Sequence, residues 1–380
     1  METHYKHLGE YSDLAAEAAR QGNLYPPLAP GEAARQRIRD LLGFAHQAEA
    51  PIDLRAGRTW EKDGIRGEEL SWSTGFGPRT QAWYLRPAGA SGPLPGILGL
   101  HDHGGFKFIG KEKIAEGADD PEPYMRAWWA DCYGSRAWAN ALVKEGFAVL
   151  VHDTFLWGSR RFANETMTGV LGEPVHTAQI EYELSWGVPA HVARYNALAD
   201  DFEHIVEKYC NLLGTTLAGV VSRDDRIALD VLRRREGVDA QRLGCIGLSG
   251  GGNRAALLMA TAEQLAAGVV VGLMSTYAGL LDHNVACHTW MLFPEQLARI
   301  GDWTDLAASR APAPLLVQYD NEDPLFTLAG MHAADDRLKE IYASAGVEGS
   351  YSGQFYPGPH KFDLEMQTAA FAWLKEKLAA

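Results

Sequence analysis

Ser249, Asp323 and His360 stand in settings suited to nucleophilic acyl transfer. A serine hydroxyl is a weak nucleophile until a base removes its proton, and the base needs an acid to orient it. Ser249 lies in Gly247-Leu248-Ser249-Gly250-Gly251, between an apolar strand-like run (Arg242 to Leu248) and an alanine- and leucine-rich helical stretch (Asn253 to Ala266). That setting predicts a sharp strand-to-helix turn that lifts the hydroxyl above a sheet, with glycines where the backbone is crowded. It also puts the hydroxyl at a helix N-terminus, where free N–H groups stabilise negative charge. Taken alone, the pentapeptide also fits a glycine-rich βα turn that merely connects two elements.

The partners should follow in the chain, acid first and histidine last. Leu315-Leu-Val-Gln-Tyr-Asp320-Asn-Glu-Asp323-Pro324 ends an apolar run with three acids, and Pro357-Gly-Pro-His360 precedes the last helix. Asp323 is preferred as the acid because it sits at the loop tip, where Pro324 holds its backbone extended. Asp320, at the strand end, is the alternative and could instead hold the loop through its backbone. Glu322 is the weaker candidate. His360, in a Pro/Gly turn, is the expected base; otherwise it is an exposed turn histidine.

The developing oxyanion needs donors. One is the N–H of Gly250. The second is assigned to the backbone of Gly105, with Gly104 as the alternative, in His101-Asp102-His103-Gly104-Gly105. The rival reading of this turn is a metal cluster through His101 and His103, but no further ligand set is visible, so no metal and no cofactor are expected. Trp157, Arg160 and Arg161 in one long connection, with Trp186 at its end, and His288 and Trp290 in another are candidate pocket walls. Loop packing is the plain reading of each. The aromatic stretch Tyr124 to Trp138 reads mainly as packing.

These residues need a rigid frame. Strand-like runs occur at Thr59-Trp60 onward, Glu69–Ser73, Gln81–Leu85, Gly96–Leu100, Phe147–Val151, 242–248, Gly268–Met274, Pro314–Tyr319 and Gly349–Tyr356. Helices are expected at Met125–Glu145, within 188–235, after the elbow, and at Asp363–Leu378. Strands alternating with helices, after a short antiparallel start, predict an α/β fold with a mostly parallel sheet covered on both faces. Residues 1–54 read as a helical arm, with Ile38, Leu41 and Leu42 on one face, and residues 55–380 as the catalytic domain. The long connections 153–186 and 276–313 leave the sheet edge that carries the elbow, where α/β proteins bind ligands.

The 380 residues carry a net charge of −14, 46% hydrophobic and 22% charged residues. Nucleic acid is excluded as a partner, because phosphate binding needs a basic face. Cys132, Cys210, Cys245 and Cys287 lack paired spacing, so neither a disulfide framework nor a zinc site is indicated. No signal-peptide pattern and no membrane-length apolar run are visible, so a cytoplasmic protein without membrane partners is expected. A homo-oligomer contact through the N-terminal arm is left open.

With these residues placed, residues 55–380 resemble the α/β-hydrolase superfamily, and within it the bacterial serine esterases related to acetyl-xylan esterases and dienelactone hydrolases. The likeness rests on His101-Asp102-His103-Gly104-Gly105, Gly247-Leu-Ser249-Gly-Gly251, Ala311-Pro-Ala-Pro-Leu-Leu and Pro359-His360-Lys-Phe. It implies an α/β-hydrolase fold and hydrolysis of short-chain, acetyl-type esters of small molecules or carbohydrates. Dienelactone hydrolases proper carry cysteine at the elbow; Ser249 favours ordinary ester hydrolysis. Lactone, thioester or amide cleavage by the same triad, and a non-catalytic binding role, are the other readings.

Overall fold

The computed structural model describes residues 4–44, 50–173 and 176–379. Among them nine strands form one sheet: β1 (Ile52–Lys62), β2 (Ile65–Ser73), β3 (Thr80–Pro87), β4 (Leu94–Leu100), β5 (Ala148–His152), β6 (Val238–Leu248), β7 (Ala267–Val271), β8 (Leu315–Asp320) and β9 (Tyr351–Tyr356). Their order is β1-β2-β3-β5-β4-β6-β7-β8-β9. The pairs from β1 to β5 are antiparallel, and every pair from β5 to β9 is parallel. β5, β7 and β8 are buried along their whole length, as unbroken runs such as Ala148-Val-Leu-Val require of strands covered on both faces.

Alternate side chains feed two cores, following the two-residue period of a strand. Leu98, Leu100, Leu150, Val270 and Val317 enter one, with helices Glu32–Leu42, Leu217–Arg233, Gly250–Thr261 and Leu328–Ser344. Ile97, Val149, Val151, Val269 and Leu316 enter the other, with helices Pro123–Cys132, Trp138–Lys144 and Leu364–Lys377. The N-terminal arm is split in its role. Helix Asp13–Gln21 buries nothing, whereas helix Glu32–Leu42 buries Ala34, Ile38 and Leu42 in the main core. The first strand already begins at Ile52.

One expected element differs. The helix over Met125–Glu145 is two helices, broken where Gly134 and Ser135 both take positive φ, +61° and +65°. Apolar and aromatic content hid that breaker, and the turn has a consequence, because it seats Tyr133 against Asp102. Both long connections carry structure of their own. Residues 153–186 hold helices Asn164–Leu171 and Thr177–Ser185, and residues 276–313 hold short 3-10 turns and helix Trp303–Ala308. Among the described residues no helix is long and apolar enough to cross a membrane.

Candidate active site

Ser249 sits between β6 and helix Gly250–Thr261 with φ +58° and ψ −120°. Such a conformation costs a non-glycine residue on the order of 1–3 kcal/mol and persists only when its surroundings over-determine it. They do so here. Its N–H donates to Val271 O at 2.8 Å, and its carbonyl accepts from Asn253 N–H at 2.9 Å. A Cβ on Gly247 would lie 2.6 Å from Leu100 O, and one on Gly251 only 2.3 Å from it, so the turn closes against β4 only with glycine there. Below the turn, Arg254 donates to both carboxylate oxygens of Asp225 (3.0 and 2.6 Å) and to His101 O (3.0 Å). His152 also meets Asp225 at 2.9 Å, so a fully buried charge network ties the elbow helix to the ends of β4 and β5.

The loops after β8 and β9 are joined by two backbone hydrogen bonds, Asn321 N–H to Tyr356 O (2.8 Å) and Glu322 N–H to Gly358 O (3.1 Å). This brings Asp323 Oδ2 to 2.6 Å from His360 Nδ1, while Asp323 Oδ1 accepts from Leu325 N–H at 2.8 Å. Asp320 instead accepts from Lys361 N–H at 3.1 Å, and its Oδ1 is buried without a partner among the described residues. Burial raises the Asp320 carboxyl to about 7. The His360 ring lies over Gly272, where a Cβ would be 3.1 Å from Cε1, and Gly272 follows the Val271 carbonyl that holds Ser249. His360 Nε2 is buried and has no partner among the described residues. Burial disfavours the imidazolium, but the hydrogen bond and charge of Asp323, with the charges of Asp320 and Asp102, outweigh it and raise the His360 pKa above its ordinary value.

Gly250 is the first residue of its helix, so its N–H has no intrahelical acceptor. The expected second donor is corrected by the structure. Gly105 N–H is taken by His103 Nδ1 at 3.0 Å and is not free for an oxyanion. At Gly104, the alternative, a Cβ would strike Trp128 and Asp102 Oδ2, both 2.5 Å away. The group that faces Gly250 is the backbone nitrogen of His103, which would lie 2.6 Å from a Cβ on Gly250. Among the described residues nothing accepts its hydrogen.

His103 is also held through its ring. Nε2 meets Glu203 at 2.9 Å, and Glu203 in turn meets Lys107 Nζ (2.9 Å), Thr289 Oγ1 (2.6 Å) and Trp290 N–H (2.9 Å). Lys107 is 1% exposed and also pairs with Asp200 at 2.6 Å. The loop after β4, helix Ala190–Leu212 and the 276–313 connection are thus locked together beside the elbow. Sequence reasoning missed Lys107, Lys113 and Glu203; the available signal was lysines standing in the apolar run Phe106-Lys-Phe-Ile-Gly-Lys-Glu-Lys-Ile.

A cleft of about 280 Å³ opens beside this loop, lined among others by His103, Gln179, Glu203, His288 and Trp290. Two expected wall residues, His288 and Trp290, therefore reach it. His288 bonds Leu325 O at 3.0 Å, and burial lowers its pKa to about 4, so it is neutral. Three others do not line this cleft. Arg160 is 2% exposed, paired with Asp224 at 3.1 Å and bonded to Phe76 O and Pro78 O, so it holds loops and has no donor to offer a substrate. Trp157 is buried against the 101–105 turn, with Nε1 donating to His103 O at 3.3 Å. Trp186 packs on Trp128 and Tyr182. Arg161 does not line it either; its Nη1 donates to Phe108 O (3.1 Å) and Gly158 O (3.0 Å).

No family model matches the chain. It is 24% identical over 308 residues to a Bacillus subtilis (strain 168) protein named "Putative hydrolase YtaP", spanning 79% of this chain and 84% of that one. Among solved structures it is similar to "Methylesterase BT1017" (TM-score 0.58, 18% identity, 90% of this chain) and spans 62% of that longer chain. It is also similar to a "putative acetyl xylan esterase" from Bacteroides fragilis NCTC 9343 (TM-score 0.64, 16% identity, 92% of this chain and 82% of that one).

Proposed function

On the α/β-hydrolase fold that this chain adopts, we propose that it is a serine carboxylic-ester hydrolase working through an acyl-enzyme. The observation that carries this is the 2.6 Å contact of His360 Nδ1 with Asp323, which leaves Nε2 buried and unengaged beside the elbow of Ser249. The neighbours named as esterases support the same reading. Ser249 Oγ attacks the ester carbonyl while His360 Nε2 takes its proton; Asp323 holds the ring in the Nδ1–H tautomer and stabilises the imidazolium. The carbonyl oxygen, now charged, is met by the N–H groups of Gly250 and His103. The imidazolium then returns its proton to the leaving alcohol. Water, activated by the same histidine, releases the acid and restores Ser249.

The preferred acyl group in this reading is short, acetate above all; in support, the cleft beside His103, which His288 and Trp290 help to line, is small, about 280 Å³. Its polar lining suits a hydroxyl-rich alcohol portion such as a sugar. Labelling by a fluorophosphonate tests the mechanism. The reagent should modify Ser249 and abolish hydrolysis of p-nitrophenyl acetate, and Ser249→Ala should lose several orders of magnitude in turnover. A folded Ser249→Ala variant with near wild-type turnover would remove the mechanism.

A further inference from the structure

We infer that Lys113 is a positioning residue for the proposed reaction: its ammonium polarises the Asp102–His103 peptide group and so strengthens the His103 N–H as an oxyanion donor. This rests on the reading of Ser249 as the nucleophile and extends it.

Lys113 ends a 3-10 turn (Lys111–Lys113), lies over the Trp128 ring at 5.3 Å and is wholly buried. Its Nζ has three acceptors, His103 O at 2.8 Å, Asp102 O at 3.0 Å and Asp102 Oδ2 at 3.2 Å. The two carbonyls are thus nearer than the carboxylate. A lysine present only as counter-ion to Asp102 should favour the carboxylate, which Tyr133 Oη already serves. Asp102 O belongs to the same peptide group as the His103 N–H. It accepts a second donor as well, His101 Nδ1 at 3.0 Å, whose ring is buried and neutral because burial strongly disfavours its charge.

Two donors on one carbonyl, one of them an ammonium, pull electron density along the amide and leave its N–H more acidic. Hydrogen bonds with an ionised donor are roughly twice as strong as neutral ones, and bonds in series reinforce one another in a low-dielectric interior. The N–H so strengthened is the one that faces Gly250 and has no acceptor among the described residues. When the ester carbonyl becomes an oxyanion, it meets a donor already polarised toward it, with no reorganisation needed.

The test uses the full chain and compares Asp102→Asn with Asp102→Asn/Lys113→Met, so that removing the lysine leaves no carboxylate stranded. With p-nitrophenyl acetate, the double variant should lose about tenfold or more in kcat relative to Asp102→Asn, a fraction of what loss of a whole oxyanion donor costs, with KM little changed. Inhibition by an aryl trifluoromethyl ketone, whose adduct carries an oxyanion, should weaken in parallel. Equal kcat in the two variants, or a loss expressed in KM with ketone inhibition unaltered, would overturn the role. Should the variants fail to fold, the wild-type protein labelled with 15N-histidine still decides. When the trifluoromethyl ketone binds, the His103 amide proton should move well downfield of ordinary loop amides, and a proton that stays in place counts against the inference. A wild type that is neither labelled by fluorophosphonate nor active would instead sink the proposed function itself.

Discussion

The backbone nitrogen of His103 lies 2.6 Å from the point where a Cβ on Gly250 would stand. The start of the elbow helix and the loop after β4 thus meet closely beside Ser249, where the proposed mechanism puts the oxyanion, and only the hydrogen atoms of Gly250 leave room there. Gly250→Ala should therefore close that space. The methyl would meet backbone, which cannot swing aside as a side chain can. Turnover on p-nitrophenyl acetate should fall on the order of a hundredfold, as when one oxyanion donor is lost, and the thermal unfolding midpoint should fall as well, because the methyl overpacks against backbone. Unchanged turnover would place the oxyanion elsewhere.

Asp323 and Asp320 can be separated by amide substitution. Asp323→Asn should fold and lose most of its turnover, up to about ten-thousandfold, since the ring loses its orienting acceptor. Asp320 stands close enough to take up part of the role: one carboxylate oxygen of each acid and a His360 nitrogen all lie within 4.8 Å of one another. The double variant Asp320→Asn/Asp323→Asn should consequently be slower than Asp323→Asn alone. Equal rates would show that Asp320 gives no support to the base.

The same acid should appear in the pH profile. His360 must be neutral to act as a base, and its pKa is raised, so kcat/KM should fall with decreasing pH along a limb lying above the ordinary histidine value. Asp320, raised to about 7 by burial, titrates in the same range. Its anion favours the imidazolium. Asp320→Asn removes that charge, lowers the His360 pKa and should move the acid limb to lower pH; a limb that stays in place, or moves up, would contradict the assignment.

Arg160 and Asp224 are both buried and paired at 3.1 Å. Arg160→Met strands the Asp224 carboxylate and two loop carbonyls, which should cost about 3 kcal/mol in urea unfolding. KM for p-nitrophenyl esters should hardly change. A large rise in KM at unchanged stability would return Arg160 to the substrate pocket.

Acyl-chain selectivity is read from a p-nitrophenyl series from acetate to octanoate. An open apolar groove would add about 0.8 kcal/mol for each methylene buried. The small cleft bounded by His288 and Trp290 should reverse that trend, with kcat/KM highest at acetate. A steady rise toward octanoate would refute the short-acyl preference.

What was legible in the sequence was whatever depends on near neighbours. Strands β4 to β8 follow from short apolar runs between turn residues, and the elbow from glycines on either side of Ser249 with a strand before and a helix after; β1, exposed and polar, begins at Ile52, well before the expected Thr59. The contact of His360 with Asp323 agrees with the preference for the loop-tip acid, since Asp320 is held at the strand end by the Lys361 N–H. What only the tertiary structure decided are the directions of groups in loops and the burial of charge. Gly104 and Gly105 both take positive φ (+57° and +65°), a freedom particular to glycine that composition cannot reveal, and it turns the Gly105 N–H back onto His103 and away from Ser249. Arg160 looked like a pocket arginine until Asp224, 64 residues away, claimed it. Glu203 gave no local signal, and Lys113 only its place in an apolar run, because a buried charge is stable only with its partners in place, and those partners come from segments that meet only once the sheet is assembled.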